Sequence, residues 1–302
     1  EMLFHQDEPI ADWVCVPLHY VARLARQSGT IVVQVGDGSD EQFFGYGHYL
    51  RMYRNQARFV RPLMSLPRSL RLMAYHSARG LAFLLRRGGE RLDLLRSVAR
   101  DDMFFWGGAI AWREEEKHRL LSADALRRID GLSSHDVVQA IDRTARDRIK
   151  DHDFGKRMIY LELKNRLAEL LLMRVDKITM ASSVEARVPF LDHALVEFTM
   201  RLPTDLKIRS GQSKFLLKKA MTGILPDEII HRPKQGFGAP VREWLRGELY
   251  APALAGVMQS RLREENLLDY GHVERLFQAH RAGARDHSWH LWTLYNLSGW
   301  YD

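Results

Sequence analysis

Residues 17–28, PLHYVARLARQS, place Leu18, Val21, Leu24 and Ala25 on one face at helical spacing, which predicts an amphipathic helix stopped by Gly29. The next run, TIVVQV at 30–35, is β-branched and uncharged, and predicts a strand buried on both faces. Helix, glycine, apolar strand and glycine-rich loop in that order predict one unit of an open α/β sheet. After Phe43 the apolar spacing is helical almost throughout. Residues 158–173 carry Ile159, Leu163, Leu167, Leu170 and Leu171 along one face of a single helix. A short helix is predicted over 194–202 with Asp192 as its cap. Phe215, Leu216 and Met221 fit another, ended near Gly223 and Pro226, and a polar, glycine-rich loop follows at 231–240. The last thirty residues predict two helices around a Gly/Arg/Asp turn. There is no internal repeat. A boundary, if present, falls near residue 50: 1–50 as the last part of an α/β core, and 51–302 as a helical portion continuous with it.

Composition narrows the class. Of 302 residues, 46% are hydrophobic and 27% charged, which excludes a disordered, collagenous or disulfide-rich chain. A single cysteine, Cys15, excludes an internal disulfide and fits a reducing, cytoplasmic setting; its position after Trp13 and Val14 reads as a small packed residue. The opening EMLFHQDEPIAD has no basic-then-apolar leader and reads as mid-protein sequence, so a fragment or processed product is expected. The net charge of +7 is modest for this length and gives no reason to expect nucleic acid. It is unevenly spread, however. Residues 51–100 hold twelve arginines, no lysine, and only Glu90 and Asp93 as acids, so this stretch carries +10 and the remainder −3. One reading is a surface for an anionic membrane, an acidic sugar or another polyanion; the other is solvated helix faces around a buried stripe.

Three segments carry candidate chemistry. In VGDGSDEQFFGYGHY at 35–49, the loop Gly36-Asp37-Gly38-Ser39-Asp40-Glu41 directly follows the apolar strand, where ligands of open α/β sheets sit. Gly36 and Gly38 allow close backbone approach, and Asp37, Asp40 and Glu41 crowd three carboxylates together. Mg²⁺ on a nucleotide takes one or two carboxylates plus phosphate oxygens. The alternative is that Ser39 or Asp40 merely caps a helix starting at Glu41. In MRVDKITMASSVEARVPFLDH at 173–193, Glu185 and Arg187 are two apart, so an extended segment points both the same way; they serve chemistry or form a structural pair. In HRPKQGFGAPVREW at 231–244, Lys234 lies among glycines as a phosphate ligand or an exposed loop lysine. His280, His287 and His290 read as packing histidines, with zinc as the alternative.

Together, GDGSDE, SSVEARVPFLD and LPDEIIHRPKQGFGAP resemble the synthetase domain of the glutamine-hydrolysing asparagine synthetases. That family also includes β-lactam synthetase and amidotransferases of surface-polysaccharide synthesis. The resemblance runs from about His5 through Leu249, and only weakly over 54–150. It implies a helix-rich α/β fold: a partial parallel sheet of the PP-loop, adenine-nucleotide α-hydrolase-like type, with a large helical portion. It also implies ATP and Mg²⁺, an acyl-adenylate, and ammonia from a glutaminase domain that attacks it. Carried over by motif position, Asp40 binds Mg²⁺, Lys234 contacts phosphates, and Val35, Gly36 and Gly38 border the nucleotide. Asp37 sits near the reacting carbonyl as base or orienter, Glu185 supports it, and Lys214 matches a further position that also fits a surface helix.

The chain departs from the pattern in three places. An SGGxDS pyrophosphate loop and the N-terminal glutaminase domain with its first-residue cysteine are not in this sequence. Losing three hydrogen bonds to charged phosphate removes about 5–9 kcal/mol, against about 8 kcal/mol for micromolar binding. The chain by itself is therefore expected to bind ATP very weakly and to make no product. Third, where some asparagine synthetases carry an arginine for aspartate, this sequence reads IADWVCVP. The acceptor is then aspartate or a carboxylated sugar, and a non-catalytic scaffold is the reading from another class. A small-molecule carboxylate, the glutaminase domain and a second copy in a homodimer are the expected partners.

Overall fold

The structure is a computed structural model and describes residues 2–84, 89–108 and 110–302. Val32–Gln34 (β1) pairs in parallel with Glu185–Arg187 (β2): Val32 lies opposite Glu185, Val33 opposite Ala186 and Gln34 opposite Arg187. A parallel pair needs a crossover, and here helices of the intervening 150 residues supply it. The pairing thus joins the first fifty residues to a segment far beyond residue 50. The fold is helix-rich α/β with a small parallel sheet.

The strand is not buried on both faces as its composition predicts. Ile31 is 59% and Val32 38% exposed, because among the described residues β1 has β2 as its one neighbour. The Cys15–Gln27 helix also departs from expectation. It buries Cys15, His19 and Ala22 and leaves Val21 and Leu24 exposed. Cys15 joins Ile10 and Ile178 in a small core against the Met173–Met180 helix. The small side chains of Cys15 and Ala22 let the two helix backbones approach closely. Burial, with Asp12 nearby, pushes the Cys15 thiol up to about 12, as befits an inert packed residue.

The single helix expected over 158–173 is broken. Phe154–Lys164 ends at Asn165 (φ −120°, ψ −95°), a π-type turn runs over Leu167–Leu172, and Met173–Met180 follows. Such turns gather at functional sites, and this one stands between Arg166 and Arg174. Asp176 and Lys177 lie within this last helix. Other expectations hold. His193–Arg201 is capped by Asp192, whose carboxylate accepts from the Ala194 and Leu195 amides at 3.0 and 3.2 Å. Phe215–Met221 is helical. Tyr270–Arg281 and Ser288–Tyr301 flank the C-terminal turn and pack through Val273, Phe277, Leu291 and Trp292. His280 is buried there. Its Nδ1 accepts from the His287 amide, and its Nε2 lies 3.1 Å from the Arg242 carbonyl.

In the basic stretch, residues 85–88, with Arg86 and Arg87, lie outside the described residues. Beside them, Leu72, Tyr75 and Ala78 of the Arg68–Leu84 helix meet Leu92, Leu95 and Ala99 of Glu90–Arg100. Arg71 reaches Asp101 at 2.6 Å, while Arg68 and Arg79 are exposed. Among the described residues no helix is long and apolar enough to cross a membrane.

Candidate active site

The loop after β1 is built by a small set of backbone constraints. The Val35 amide donates to the Arg187 carbonyl at 2.9 Å, extending the sheet pairing by one residue. Gly38 has φ +92°, and a Cβ there would sit 2.4 Å from Leu191 Cδ2. Conformation and space both demand glycine. Ser39–Gln42 then forms one helical turn. Neither Ser39 nor Asp40 caps it; Glu41 instead accepts the Gly38 amide at 2.9 Å. Gln42 is fully buried and anchors the turn: its Nε2 donates to the Phe190 carbonyl at 2.6 Å, and its Oε1 accepts from Thr199 at 2.6 Å. Gly36 is exposed, with open space at its Cα.

Asp40 is the centre of the cluster. Lys214 Nζ lies 2.6 Å from its Oδ1 and Lys234 Nζ 2.6 Å from its Oδ2. Lys234 comes from a loop 194 residues away. Lys214 is not a surface helix residue: it precedes Phe215–Met221 in a left-handed conformation (φ 56°), and its amide donates to the Phe43 carbonyl at 2.9 Å. That unusual backbone aims its side chain at Asp40. Burial raises the Asp40 carboxyl, but the two lysines more than offset this, so it titrates below its ordinary value.

Asp37 behaves oppositely. Burial raises its carboxyl, and Arg174 offsets this only partly. Arg174 bridges two acids, with Nη1 2.5 Å from Asp12 and Nη2 3.8 Å from Asp37. The result is one carboxylate held ionised and one poised higher, within a few residues of each other. Beneath them, Tyr46 donates to Glu41 at 2.7 Å. Its ring carries Lys234 Nζ at 5.6 Å and the Arg166 guanidinium at 5.0 Å, both within cation–π range. Arg166 in turn pairs with the buried Glu162 at 2.7 Å.

The structure therefore unites Val35, Gly36, Asp37, Gly38, Asp40, Lys214 and Lys234. It does not bring in Glu185. That carboxylate faces Arg187 at 2.9 Å on an exposed part of β2, and among the described residues it makes no hydrogen bond or ion pair with the cluster. Both side chains of the pair are open to solvent, which fits the structural alternative rather than the chemical one. Sequence reading did not single out Arg174, Tyr46, Gln42 or Gly45. Arg174 was detectable as a charge inside the apolar run 170–175; the others carry no such signal. The donor set fits a magnesium nucleotide. Asp40, with Asp37 beside it, offers hard oxygen, and Lys214 and Lys234 match phosphate charge. Among the described residues no group of three or more His, Cys, Asp or Glu could hold a metal by itself.

The low Asp40 carboxyl has a consequence for acid stability. Its lysine pairing stabilises the fold fully above the ordinary value of 3.8 and is lost as pH falls through the lower folded value. Urea unfolding of this chain should show a smaller loss between pH 5 and pH 3 for Asp40→Asn than for the parent. Equal losses would show that the pairing contributes no pH-dependent stability.

The asparagine synthase family model matches residues 1–302. A protein provisionally named a glutamine-hydrolysing asparagine synthetase in Mycobacterium tuberculosis H37Rv is 34% identical over 302 residues, which is 100% of this chain and 43% of that protein. Asparagine synthetase 1 of Bacillus subtilis, also named as glutamine-hydrolysing, is 30% identical over 301 residues, covering 100% of this chain and 45% of its own length. Amidase chyE of Penicillium rubens is 24% identical over 285 residues, 91% of this chain and 41% of that one. The chain spans less than half the length of these relatives. With a match along its whole length, the chain belongs to the asparagine synthase family.

Proposed function

We propose that the protein forms an amide from a carboxylate, ATP and ammonia through an acyl-adenylate. The observation that carries this reading is the Asp40 pairing with Lys214 and Lys234, three charges from distant segments held at 2.6 Å. A scaffold would have no need of such a cluster. In the absence of ligand the lysines neutralise Asp40. Incoming phosphates compete for both lysines and free the Asp40 oxygens for Mg²⁺, which would supply charge neutralisation for the departing pyrophosphate. The acceptor carboxylate attacks the α-phosphorus, the bond to pyrophosphate breaks, and Lys234 stabilises the charge that accumulates on the leaving group. Ammonia then attacks the acyl carbon and AMP departs. Asp37, its carboxyl raised by burial, takes the proton that the nitrogen must lose.

The relatives' names favour aspartate as acceptor and glutamine as the nitrogen source, through a glutaminase domain beyond this chain. A carboxylated sugar is the second reading, favoured by the Asp12–Arg174 pair: Asp12 already engages the guanidinium that would otherwise meet a second substrate carboxylate. A reducing, ATP-supplied cytoplasm suits either reaction. The test uses the protein expressed from its whole reading frame, given ATP, ammonia and each acceptor. AMP and pyrophosphate should form in step with amide; ADP and phosphate in their place would overturn the adenylate mechanism.

A further inference from the structure

Two adjoining cavities lie among the helices, the inner one reaching Asp12. The inner one, of about 550 Å³, is lined by Asp12, Arg166, Trp106, Ile110, Trp112 and Trp289. Two of its lining residues are linked to the reacting groups: Asp12 shares Arg174 with Asp37, and Arg166 shares the Tyr46 ring with Lys234. The outer one, of about 340 Å³, is lined by Arg51, Arg91, Phe104, and again Trp106 and Ile110. These last two side chains line both spaces. Arg113 also reaches the outer cavity, but its charge is taken by Asp93. Arg51 and Arg91 are exposed, and among the described residues neither is engaged by an acidic side chain.

Each space alone is in the range of a drug-sized ligand site, which a four-carbon diacid would leave mostly empty. Indole rings offer flat apolar surface suited to a ring-bearing substrate; Trp112 Nε1 already donates to Thr293 at 2.8 Å and Trp289 packs on Trp13, which holds both rings in place. Arg51 and Arg91 both line the outer cavity, and a guanidinium suits a phosphate, which it can bind bidentately. We propose that the acceptor is an extended carboxylate. Its reacting end lies at Asp37 and Lys234, its ring-bearing middle among Trp106, Trp112 and Trp289, and a second anion of the phosphate class at Arg51 and Arg91. The proposal rests on the amide-forming reading and names its substrate class.

The experiment compares three probes with the whole protein, ATP and ammonia: UDP-glucuronate, with carboxylate, ring and distal diphosphate; glucuronate, which lacks the phosphates; and aspartate. Amide and AMP are measured together, and tryptophan quenching reports binding without turnover. UDP-glucuronate should have the highest kcat/KM and quench tryptophan. Arg51→Glu with Arg91→Glu should raise its KM by about tenfold or more while moving the glucuronate KM little. An unchanged UDP-glucuronate KM in the double variant, or a higher kcat/KM for aspartate, overturns the proposal and leaves amide formation standing. Loss of AMP formation with every acceptor overturns the amide-forming reading instead. In that event the quenching titration still judges the trough: weakening by the double variant supports it, and no quenching or no weakening refutes it.

Discussion

Replacing Lys234 by alanine should lower kcat for amide formation by about 10²–10³-fold, the usual penalty for removing one preorganised charge from a transition state. The effect should fall on kcat more than on the KM for the acceptor, because charge at the pyrophosphate grows as the bond breaks. The fold should hardly change. The Lys234 side chain is 54% exposed, and pairs that open to solvent contribute about 1 kcal/mol or less. Arginine should rescue little, since a planar fork does not replace a point charge in the space beside Tyr46 and Asp40. Steady-state kinetics with the whole protein, beside thermal unfolding of the same variants, decide the matter. A Lys234→Ala enzyme within about tenfold of the parent would remove this lysine from the chemistry.

Gly45→Ala should be the most damaging substitution of a residue with no chemistry of its own. A Cβ at this position would lie 1.7 Å from Asp40 Oδ1 and 2.4 Å from Lys214 Cε. The carboxylate cannot yield easily: the Gly45 amide donates to the Asp40 carbonyl at 2.8 Å, and two lysines grip the side chain. Relief requires Asp40 to move by an ångström or more, a displacement worth about 10²-fold in rate. Overpacking should add about 1–3 kcal/mol of instability, or roughly 2–5 °C in Tm for a chain this size. Gly47→Ala is the matched control. It is the first residue of the Gly47–Asn55 helix, and a methyl group there would meet nothing within 4 Å, so alanine should be neutral or mildly stabilising. Equal activity for the two variants would show that Asp40 does not need its present position.

The tryptophan-lined trough and the Asp40 cluster make different demands on the sequence. Asp40 and Lys234 were legible because each sits in a short, polar, glycine-marked string. Glycines at Gly36 and Gly38 follow an apolar run, and Lys234 sits between Arg232 and Gly236. Trp106, Trp112 and Trp289 stand in no pattern that separates a cavity wall from a core, and the first two meet the third only once segments distant in sequence have packed.

Local rules therefore set most of the helices, the Asp192 cap, the position of β1 and the identity of the charged groups, because hydrogen bonds of a turn and the spacing of a helix face depend on near neighbours alone. Which face of the Cys15–Gln27 helix is buried, where the 158–173 helix breaks, and the exile of Glu185 to an open strand face were settled by the assembled fold. So was the meeting of Lys214 with Asp40. Burial and ion pairing depend on atoms brought together through space. Whether a charge becomes a ligand or a surface ornament is decided by partners that one-dimensional spacing does not contain.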